Sequence, residues 1–277
     1  MKMKKLIVFI SLFVFAQLTT FAQPKFQIDG EEVYKGEDVV FHKIDDHTWV
    51  GTGKVMSNES LYLVEGNEKS VLIDAGTNIK DLDKIIASIT IKPVMLVATH
   101  VHPDHTGPSI DVFPELYINP ADTVGIPQFM PNYKGEVKFL KDGEIIDLGG
   151  RQLDVVFTPG HTPGSTTFID KAAHYGFSGD SFGSGNLLLI TNFSTLKTTC
   201  EKTSAIMAEY GIEKFYPGHY FGVNLETKQR VDDLKTISED ALSGKIKGEE
   251  NPNGFLGLNL LINKYGVRVN YNEKALK

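Results

Sequence analysis

The sequence predicts a mixed α/β fold in which two packed β-sheets carry helices on their outer faces. Short apolar segments with strand character occur in two stretches of the chain, and a helical pattern follows each stretch. Turn residues separate these segments, as expected for strands of a sheet. The chain has 277 residues, of which 41% are hydrophobic and 23% are charged. This length and composition suffice for a sizeable core.

The first strand-rich stretch lies in the N-terminal half. Apolar segments at residues 39–43, 61–65 and 70–74 alternate with turns and are predicted to be strands of one sheet. A helix is predicted at residues 79–89, and the apolar run 94–98 has the character of a buried strand. Pro108 then favours the start of a short helix, because proline is well tolerated in a first helical turn.

The second stretch continues from residue 116 to residue 178. Strands are predicted at residues 116–118, 137–140, 153–158, 166–169 and 175–178, and helices at residues 195–210 and 227–242. A turn at residues 251–254 precedes an apolar tail, residues 255–272, which has strand character after Gly266. This tail is expected to add either a hairpin or a dimer contact, and the oligomeric state stays open.

The N-terminus has the pattern of a secretory signal peptide over residues 1–22. Lys2, Lys4 and Lys5 precede an apolar run at residues 6–16, and Ala22 ends a plausible cleavage site. A membrane anchor is the alternative, but the run is short for a span and no lipid-accepting cysteine follows it. We therefore expect export to the periplasm or the medium. Residues 23–277 would then form one domain with a C-terminal helix and strand extension.

Charge and cysteine content restrict the partners. The formal net charge is −7, and removal of the leader takes away three lysines and no acids, which gives −10. A nucleic acid is not an expected partner for so acidic a chain, whereas a small-molecule substrate is. No stable membrane span is expected after processing. The single cysteine, Cys200, excludes an intramolecular disulfide and falls in a helical pattern, where core packing is its expected role.

Residues 100–105 carry the strongest chemical signal. His100, His102, Asp104 and His105 follow directly after the apolar run 94–98, where a buried strand should end. Because residues i and i+2 of an extended segment face the same side, His100 and His102 can bind one cation while the other two lie beyond it. Imidazole and carboxylate together suit zinc best, although manganese or iron accepts the same donors.

Three further candidate ligands lie downstream. His161 and His219 each follow a Pro-Gly pair, in loops where the backbone can crowd a site, and Asp180 follows an apolar stretch. A carboxylate with two oxygens can bridge a pair of cations. The cluster at residues 100–105 needs such donors, because four ligands alone cannot enclose two metals and leave an open position.

These seven side chains, in this order, resemble the ligand set of the metallo-β-lactamase superfamily, and the resemblance covers nearly the whole chain after the leader. It implies the four-layer αββα sandwich. It also implies two metal ions, the first held by His100, His102 and His161, the second by Asp104, His105 and His219, with Asp180 bridging both.

Asp74 belongs to a further match. The segment at residues 71–76 is similar to an early strand of the family that ends in aspartate and glycine and packs behind the ligand loops. Asp74 is then expected to hydrogen-bond to a ligand from behind, unless it is an ordinary turn or helix-start aspartate. His42, His47 and His174 stand singly and are interpreted as structural or solvent-facing.

The resemblance predicts a hydrolase with two Zn²⁺ ions that hold a bridging hydroxide as the nucleophile. Asp104 is the expected catalytic proton acceptor, and no covalent acyl-enzyme is expected. Esters, lactones, thioesters and β-lactams all have suitable leaving groups. Asn186 and Tyr220 are candidate substrate-binding residues.

Two comparisons within the family bear on the substrate. True β-lactamases usually carry cysteine or serine where this chain has Asp180, which argues against a dedicated β-lactamase. Glyoxalase II thioesterases carry aspartate there, but their glycine-cysteine-glycine-arginine element is replaced here by residues 182–186. An iron-dependent redox enzyme on the same fold is an alternative of another class, and a non-catalytic binding protein is a third.

Overall fold

The computed structural model describes residues 28–277, so the predicted signal peptide at residues 1–22 lies outside the described part. The first sheet has eight strands, each hydrogen-bonded to the next in chain order. They are β1 (Glu32–Lys35), β2 (Val39–Asp45), β3 (Thr48–Gly53), β4 (Ser60–Glu65), β5 (Ser70–Ile73), β6 (Val94–Val97), β7 (Glu115–Ile118) and β8 (Glu136–Phe139). The pairs from β1 to β5 are antiparallel, whereas β5 to β8 run parallel.

The C-terminal half forms two smaller sheets. Its strands are β9 (Ile145–Asp147), β10 (Gln152–Phe157), β11 (Thr166–Asp170), β12 (Tyr175–Gly179), β13 (Asn186–Leu188), β14 (Lys214–Pro217), β15 (Glu226–Thr227), β16 (Glu249–Glu250), β17 (Leu260–Lys264) and β18 (Val267–Tyr271). The second sheet has the order β15-β14-β12-β11-β10-β9, and the third has the order β13-β18-β17-β16. The third sheet thus joins a short strand near residue 187 to the C-terminus.

In the described part of the chain, four α-helices accompany the sheets: α1 (Leu82–Ile89), α2 (Ile126–Phe129), α3 (Phe193–Tyr210) and α4 (Lys228–Leu242). The two long helices begin at capping residues, because Asn192 and Thr227 accept hydrogen bonds from the backbone of the first turn. Helix α3 ends at Gly211, whose left-handed backbone conformation is the usual helix stop. Within residues 28–277, none of the helices is long and apolar enough to cross a membrane.

The core has three apolar layers, which place the two large sheets face to face. Strand β4 shows the arrangement: Leu61 and Leu63 pack toward α1, whereas Tyr62 and Val64 pack toward the second sheet. This alternation follows from the two-residue period of a strand. The far face of the second sheet is covered by α3, α4 and the third sheet. The layers therefore run helix, sheet, sheet, helix, and the predicted αββα sandwich is confirmed.

Most predicted elements are present, with shifts at their ends. Helix α1 begins at Leu82 and not at residue 79, because Asp81 has a left-handed φ of 52° that interrupts the helix. The C-terminal tail forms a hairpin, which is one of the two predicted arrangements. Its first strand, β17, lies before Gly266, whereas strand character is predicted only after that residue. Cys200 is fully buried in α3, so its predicted core role is confirmed.

Arg151 links the two large sheets at the edge of the sandwich where β9 and β10 turn. Its Nε donates to Asp170 at 2.7 Å, and its Nη2 donates to the hydroxyls of Thr48 and Tyr175, each at 2.9 Å. A third nitrogen, Nη1, donates to the carbonyl of His47 at 3.0 Å. Because Thr48 and His47 belong to the first sheet's side and Asp170 to the second, one guanidinium connects both.

We expect Arg151→Ala to destabilise the fold by about 3–5 kcal/mol, since it leaves the buried carboxylate of Asp170 without its cation. Arg151→Lys keeps the charge but loses the planar fork, so its free energy of unfolding should lie between those of the wild-type protein and Arg151→Ala. Urea unfolding measures both, with Arg268→Ala as the control because Arg268 is an exposed cation on β18. An Arg151→Ala protein as stable as the control would contradict this role.

Candidate metal centre

The loop that carries the first four candidate ligands, residues 100–105, is hydrogen-bonded to the residue that follows the neighbouring strand β5. Strands β5 and β6 are parallel neighbours, so the residues that follow them meet at one edge of the first sheet. Asp74, which follows β5, accepts hydrogen bonds from the backbone nitrogen and the hydroxyl of Thr99, at 2.7 and 2.8 Å. It also accepts one from Nδ1 of His105 at 2.8 Å. The carboxylate therefore lies behind the loop and contacts one of the candidate ligands, His105.

Three imidazoles converge to form the first group of donors. The Nε2 atoms of His100 and His161 each lie 3.0 Å from Nδ1 of His102. Nitrogen ligands at about 2.0–2.1 Å from a tetrahedral zinc ion lie roughly 3.3 Å apart, so the spacing of these atoms suits one cation. All three rings meet nearly edge to face, with centroids 4.7–4.8 Å apart.

Hydrogen bonds fix which nitrogen of His100 and of His161 faces the centre. Nδ1 of His161 donates to the carbonyl of Leu188 at 2.8 Å, which leaves the lone pair on Nε2. The hydroxyl proton of Thr99 goes to Asp74, so its oxygen accepts from Nδ1 of His100 at 3.1 Å. The Nε2 lone pair of His100 is thereby directed at the same point. Both rings are thus oriented by groups behind them, as metal-binding histidines usually are.

Asp104, His105, Asp180 and His219 form the second group. Nε2 of His219 lies 3.3 Å from Oδ2 of Asp104 and 3.5 Å from Oδ2 of Asp180. Nε2 of His105 lies 3.8 Å from a carboxylate oxygen of each aspartate, which is too long for a hydrogen bond. Nδ1 of His219 donates to the carbonyl of Ser57 at 3.2 Å, so its Nε2 also faces inward.

Asp180 contacts both groups. Its Oδ2 lies 3.7 Å from Nε2 of His161 in the first group, in addition to its contact with His219 in the second. Oδ1 of Asp180 and Nε2 of His105 are buried and have no hydrogen-bond partner among the described residues. Buried polar atoms are rarely left unpaired, so these two atoms fit the role of metal ligands.

Gly218 permits the close approach of the last ligand loop. A Cβ atom at this position would lie 2.2 Å from Oδ1 of Asp180 and 2.7 Å from Cε1 of His105. Any side chain would therefore collide with two of the donors. This is the physical reason why a glycine precedes His219 at the end of β14.

Burial keeps the first group neutral. It lowers the pKa of His100 well below its usual value, that of His161 below it and that of His102 to about 3. Neighbouring imidazoles lower the pKa of His100 and His102 further, because two positive rings would repel each other. All three rings are consequently unprotonated at neutral pH, which is the form that binds a cation.

The second group is dominated by its two carboxylates. Burial would raise the pKa of Asp180, but His219 and His105 hold it well below its usual value. The same balance lowers the pKa of Asp104, mainly through His105. Conversely, burial would lower the pKa of His219, but Asp180 and Asp104 raise it to about 10. Two ionised carboxylates, those of Asp104 and Asp180, thus lie close together, and their mutual repulsion favours the binding of a cation between them.

Asp122 is a functional candidate that the sequence analysis missed. Its Oδ2 accepts hydrogen bonds from the backbone nitrogen of Val101 and the hydroxyl of Thr162, both at 2.9 Å, and its Oδ1 accepts from the nitrogen of Gly164 at 2.6 Å. Val101 lies between His100 and His102, whereas Thr162 follows His161. One buried carboxylate therefore ties together the two loops that supply the first group.

The remaining candidates lie elsewhere. Asn186 is exposed, and its side-chain oxygen accepts from Asn270 at 3.0 Å. Tyr220 is buried beside Tyr216, and its hydroxyl donates to the carbonyl of Gly222. Neither side chain lines the cavity of about 320 Å³ that opens beside His102. Within the described residues, His42, His47 and His174 belong to neither group of donors, in line with their interpretation.

The fold and the site together define a class of metal-binding enzymes. This class has an αββα sandwich, and two adjacent groups of imidazole and carboxylate donors lie at the edge of its sheets. A sequence model described as the Metallo-beta-lactamase superfamily matches residues 57–219, which is more than half of the chain. The protein therefore belongs to the metallo-β-lactamase superfamily, and it is a hydrolase of that fold. The matched segment contains all seven candidate ligands.

Curated relatives include enzymes named as thioesterases. The chain is 29% identical to the acyl-coenzyme A thioesterase MBLAC2 of Homo sapiens over 202 residues, which cover 58% of this chain and 72% of that protein. It is 26% identical to the lactamase-like protein aptB of Emericella nidulans over 238 residues, which cover 80% of this chain and 72% of that one. It is also 24% identical to an atrochrysone carboxyl ACP thioesterase of Aspergillus novofumigatus, with coverage of 70% and 56%.

Solved structures share the fold at lower identity. A metallo-β-lactamase from Pontibacter korlensis matches with a TM-score of 0.56 at 20% identity, covering 73% of this chain and 99% of that one. The rubredoxin oxygen:oxidoreductase of Desulfovibrio gigas matches with a TM-score of 0.55 at 18% identity, covering 72% and 62%. The same fold is therefore present in proteins named for different chemistries, and its presence alone does not select one.

We expect Asp122→Asn to loosen the first group of donors. The amide nitrogen would face backbone and hydroxyl donors where a carboxylate oxygen now accepts, at a cost of about 1–3 kcal/mol. Metal affinity should fall roughly 10–100-fold, as for other groups that orient ligands. Chelator competition on the purified protein measures this, with Asp111→Asn as the control because Asp111 is exposed. Equal metal affinity in Asp122→Asn and Asp111→Asn would show that Asp122 does not orient the first group of donors.

Proposed function

We propose that this protein is a binuclear zinc hydrolase that cleaves a small thioester or ester. The observation that carries the proposal is the position of Asp180, whose Oδ2 lies 3.7 Å from His161 and 3.5 Å from His219. A carboxylate that contacts both groups of donors supports two neighbouring cations. Lactones and lactams present the same carbonyl chemistry and serve as comparison substrates.

The donor chemistry supports zinc as the metal. The first group would hold one ion through His100, His102 and His161, and the second group would hold another through Asp104, His105 and His219, with Asp180 shared. When bound, two such cations supply Lewis acidity and an activated water at neutral pH. The buried unpaired atoms of His105 and Asp180 are the structural feature that favours this occupancy.

Asp104 is the proposed proton acceptor. Its side chain is 13% exposed, so it reaches the open side of the site, whereas His105 beside it is fully buried. Burial would raise the pKa of Asp104, but its electrostatic interaction with His105 and its hydrogen bond with His219 hold the pKa below its usual value, which favours an ionised carboxylate at neutral pH. An ionised oxygen at the edge of the cluster can take a proton during hydrolysis and pass it to the leaving group.

The side chains give no support to covalent catalysis. Ser181 follows Asp180 directly, but it is 1% exposed and its hydroxyl bonds to Thr158 at 2.8 Å. Cys200 is fully buried in α3, where burial raises the pKa of its thiol. Neither is placed to attack a substrate, so we propose direct attack by water.

Three further observations support the proposed substrate and the proposed location of the enzyme. The relatives named as thioesterases favour a thioester over a lactam. The basic and apolar pattern of residues 1–22 supports export, so we propose a periplasmic or secreted enzyme acting on a small external substrate. The acidic composition supports an uncharged or weakly charged substrate over a polyanion.

Metal content tests the site. The purified chain is expected to contain two zinc ions by elemental analysis, and His102→Ala and Asp180→Ala are each expected to lose metal because a donor is missing. His47→Ala is the matched control, since this histidine side chain is 64% exposed and outside both groups. Stoichiometric iron with oxygen reduction by the purified protein would instead favour the redox alternative.

Initial rates test the reaction. We expect hydrolysis of a thioester, its loss on chelation and its return with zinc. Asp104→Asn should lower kcat by roughly 10²–10⁴-fold, the contribution of a positioned acid or base, whereas Asp83→Asn, an exposed carboxylate on α1, should not. A fully metal-loaded protein that hydrolyses no thioester, ester, lactone or cephalosporin would refute the proposal, and turnover of the cephalosporin alone would identify a β-lactamase.

A further inference from the structure

A cavity of about 320 Å³ opens beside the first group of donors. His102 lines it, together with Val101 from the same loop. The ring of Phe129 also lines it and contacts His102 edge to face, with 5.2 Å between the ring centroids. The cavity therefore borders the candidate metal centre through one of its ligands, His102.

The walls of the cavity are mostly aliphatic or aromatic and come from distant parts of the chain. Val124 and Phe129 belong to the segment that ends in α2, and Ile190 follows β13. Leu256 and Leu258 belong to the segment between β16 and β17. Three stretches separated by more than sixty residues thus bring apolar side chains to one place beside His102.

The cavity offers no counter-charge for an anion. Among the described residues that line it, none is lysine or arginine, and the polar ones are mainly the uncharged Gln128, Thr162 and Asn272. Its one carboxylate, Asp122, is 3% exposed and accepts hydrogen bonds from the two ligand loops with both oxygens. A phosphate or carboxylate in the cavity would therefore lose its hydration without gaining a partner.

Several of these apolar side chains are exposed to solvent and do not belong to the hydrophobic core. Val124 is 75% exposed, Leu256 is 46% exposed and Ile190 is 40% exposed. Leu256 also has a left-handed φ of 55°, which is uncommon for a bulky residue. Exposed apolar side chains grouped around a cavity mark a ligand site more often than a structural feature.

We propose that this cavity binds the acyl chain of the substrate, and that the chain is uncharged and aliphatic. The inference rests on the proposed hydrolase function, because it places the scissile carbonyl at the donors and the tail beyond His102. The volume of about 320 Å³ is at the small end of the range of roughly 300–1,000 Å³ for small-molecule sites. The cavity thus suits an acyl tail of moderate length and not a nucleotide or protein carrier.

A series of thioesters with one thiol and linear acyl groups of increasing length tests the proposal by kinetics. For the full-length enzyme, kcat/KM should rise about fourfold per added methylene until the cavity is full. Val124→Trp should shorten the preferred chain, because it fills the cavity from an exposed position, and Leu256→Ser should flatten the dependence. Val223→Ser is the control, since Val223 is 90% exposed and does not line the cavity.

Binding of the product carboxylates gives a readout that does not need turnover. Calorimetric titration with linear carboxylates from butanoate to decanoate should show affinity rising with length in the wild-type protein. Val124→Trp should weaken the binding of decanoate and leave that of butanoate unchanged. The shorter ligand thereby reports that the variant is folded.

The two readouts separate the failure of this inference from the failure of the proposed function. Thioester hydrolysis with rates and carboxylate affinities independent of chain length would overturn the acyl cavity while the hydrolase stands. Length-dependent carboxylate binding that Val124→Trp abolishes, without hydrolysis of any thioester or ester, would support the cavity and overturn the hydrolase. A length dependence that Val124→Trp and Leu256→Ser leave unchanged would place the acyl chain elsewhere.

Discussion

The carboxylate of Asp74 connects the fold to the candidate metal centre. It accepts hydrogen bonds from the backbone and the hydroxyl of Thr99 and from the ring of His105, all between 2.7 and 2.8 Å. Because the hydroxyl of Thr99 has only one proton, giving it to Asp74 forces the oxygen to accept from His100. One residue at the end of β5 therefore orients a histidine in each group of donors. Asp74 itself has a left-handed φ of 64° and directly follows β5, which pairs with β4 on one side and with β6 on the other.

Local sequence predicts those parts of the site whose geometry is local. His100, His102, Asp104 and His105 lie within six residues after an apolar strand, so strand periodicity and the strand's end indicate their convergence. His161, Asp180 and His219 are single residues in separate loops. Their order along the chain, matched to a family pattern, was needed to group them with the cluster. The αββα layering likewise comes from the family resemblance, because Leu61 to Val64 are all apolar and only the structure assigns the two faces of β4.

The contacts that escaped prediction join residues far apart in sequence. Asp122 holds Val101, Thr162 and Gly164, which are 21, 40 and 42 residues away, and the segment around it resembles an ordinary proline turn. Asn186 and Tyr220 are candidate substrate-binding residues only because they follow candidate ligands in the chain. Proximity in sequence does not determine the direction of a side chain, and Tyr220 instead packs on Tyr216 in the core. The strands β13 and β18 also pair in parallel across about eighty residues, which no local pattern encodes.

That last pairing makes the C-terminal sheet part of the site. Strand β13 follows Asp180 closely and pairs with β18, and its residue Leu188 accepts the hydrogen bond that orients His161. The backbone of Ile190 and Thr191 continues this contact by donating to the carbonyls of His161 and Gly160. The same C-terminal segment supplies Leu256 and Leu258 to the cavity beside His102. Because this sheet orients a candidate ligand and the segments next to its strands line the cavity, a change in its packing should alter both the first group of donors and the space beside it.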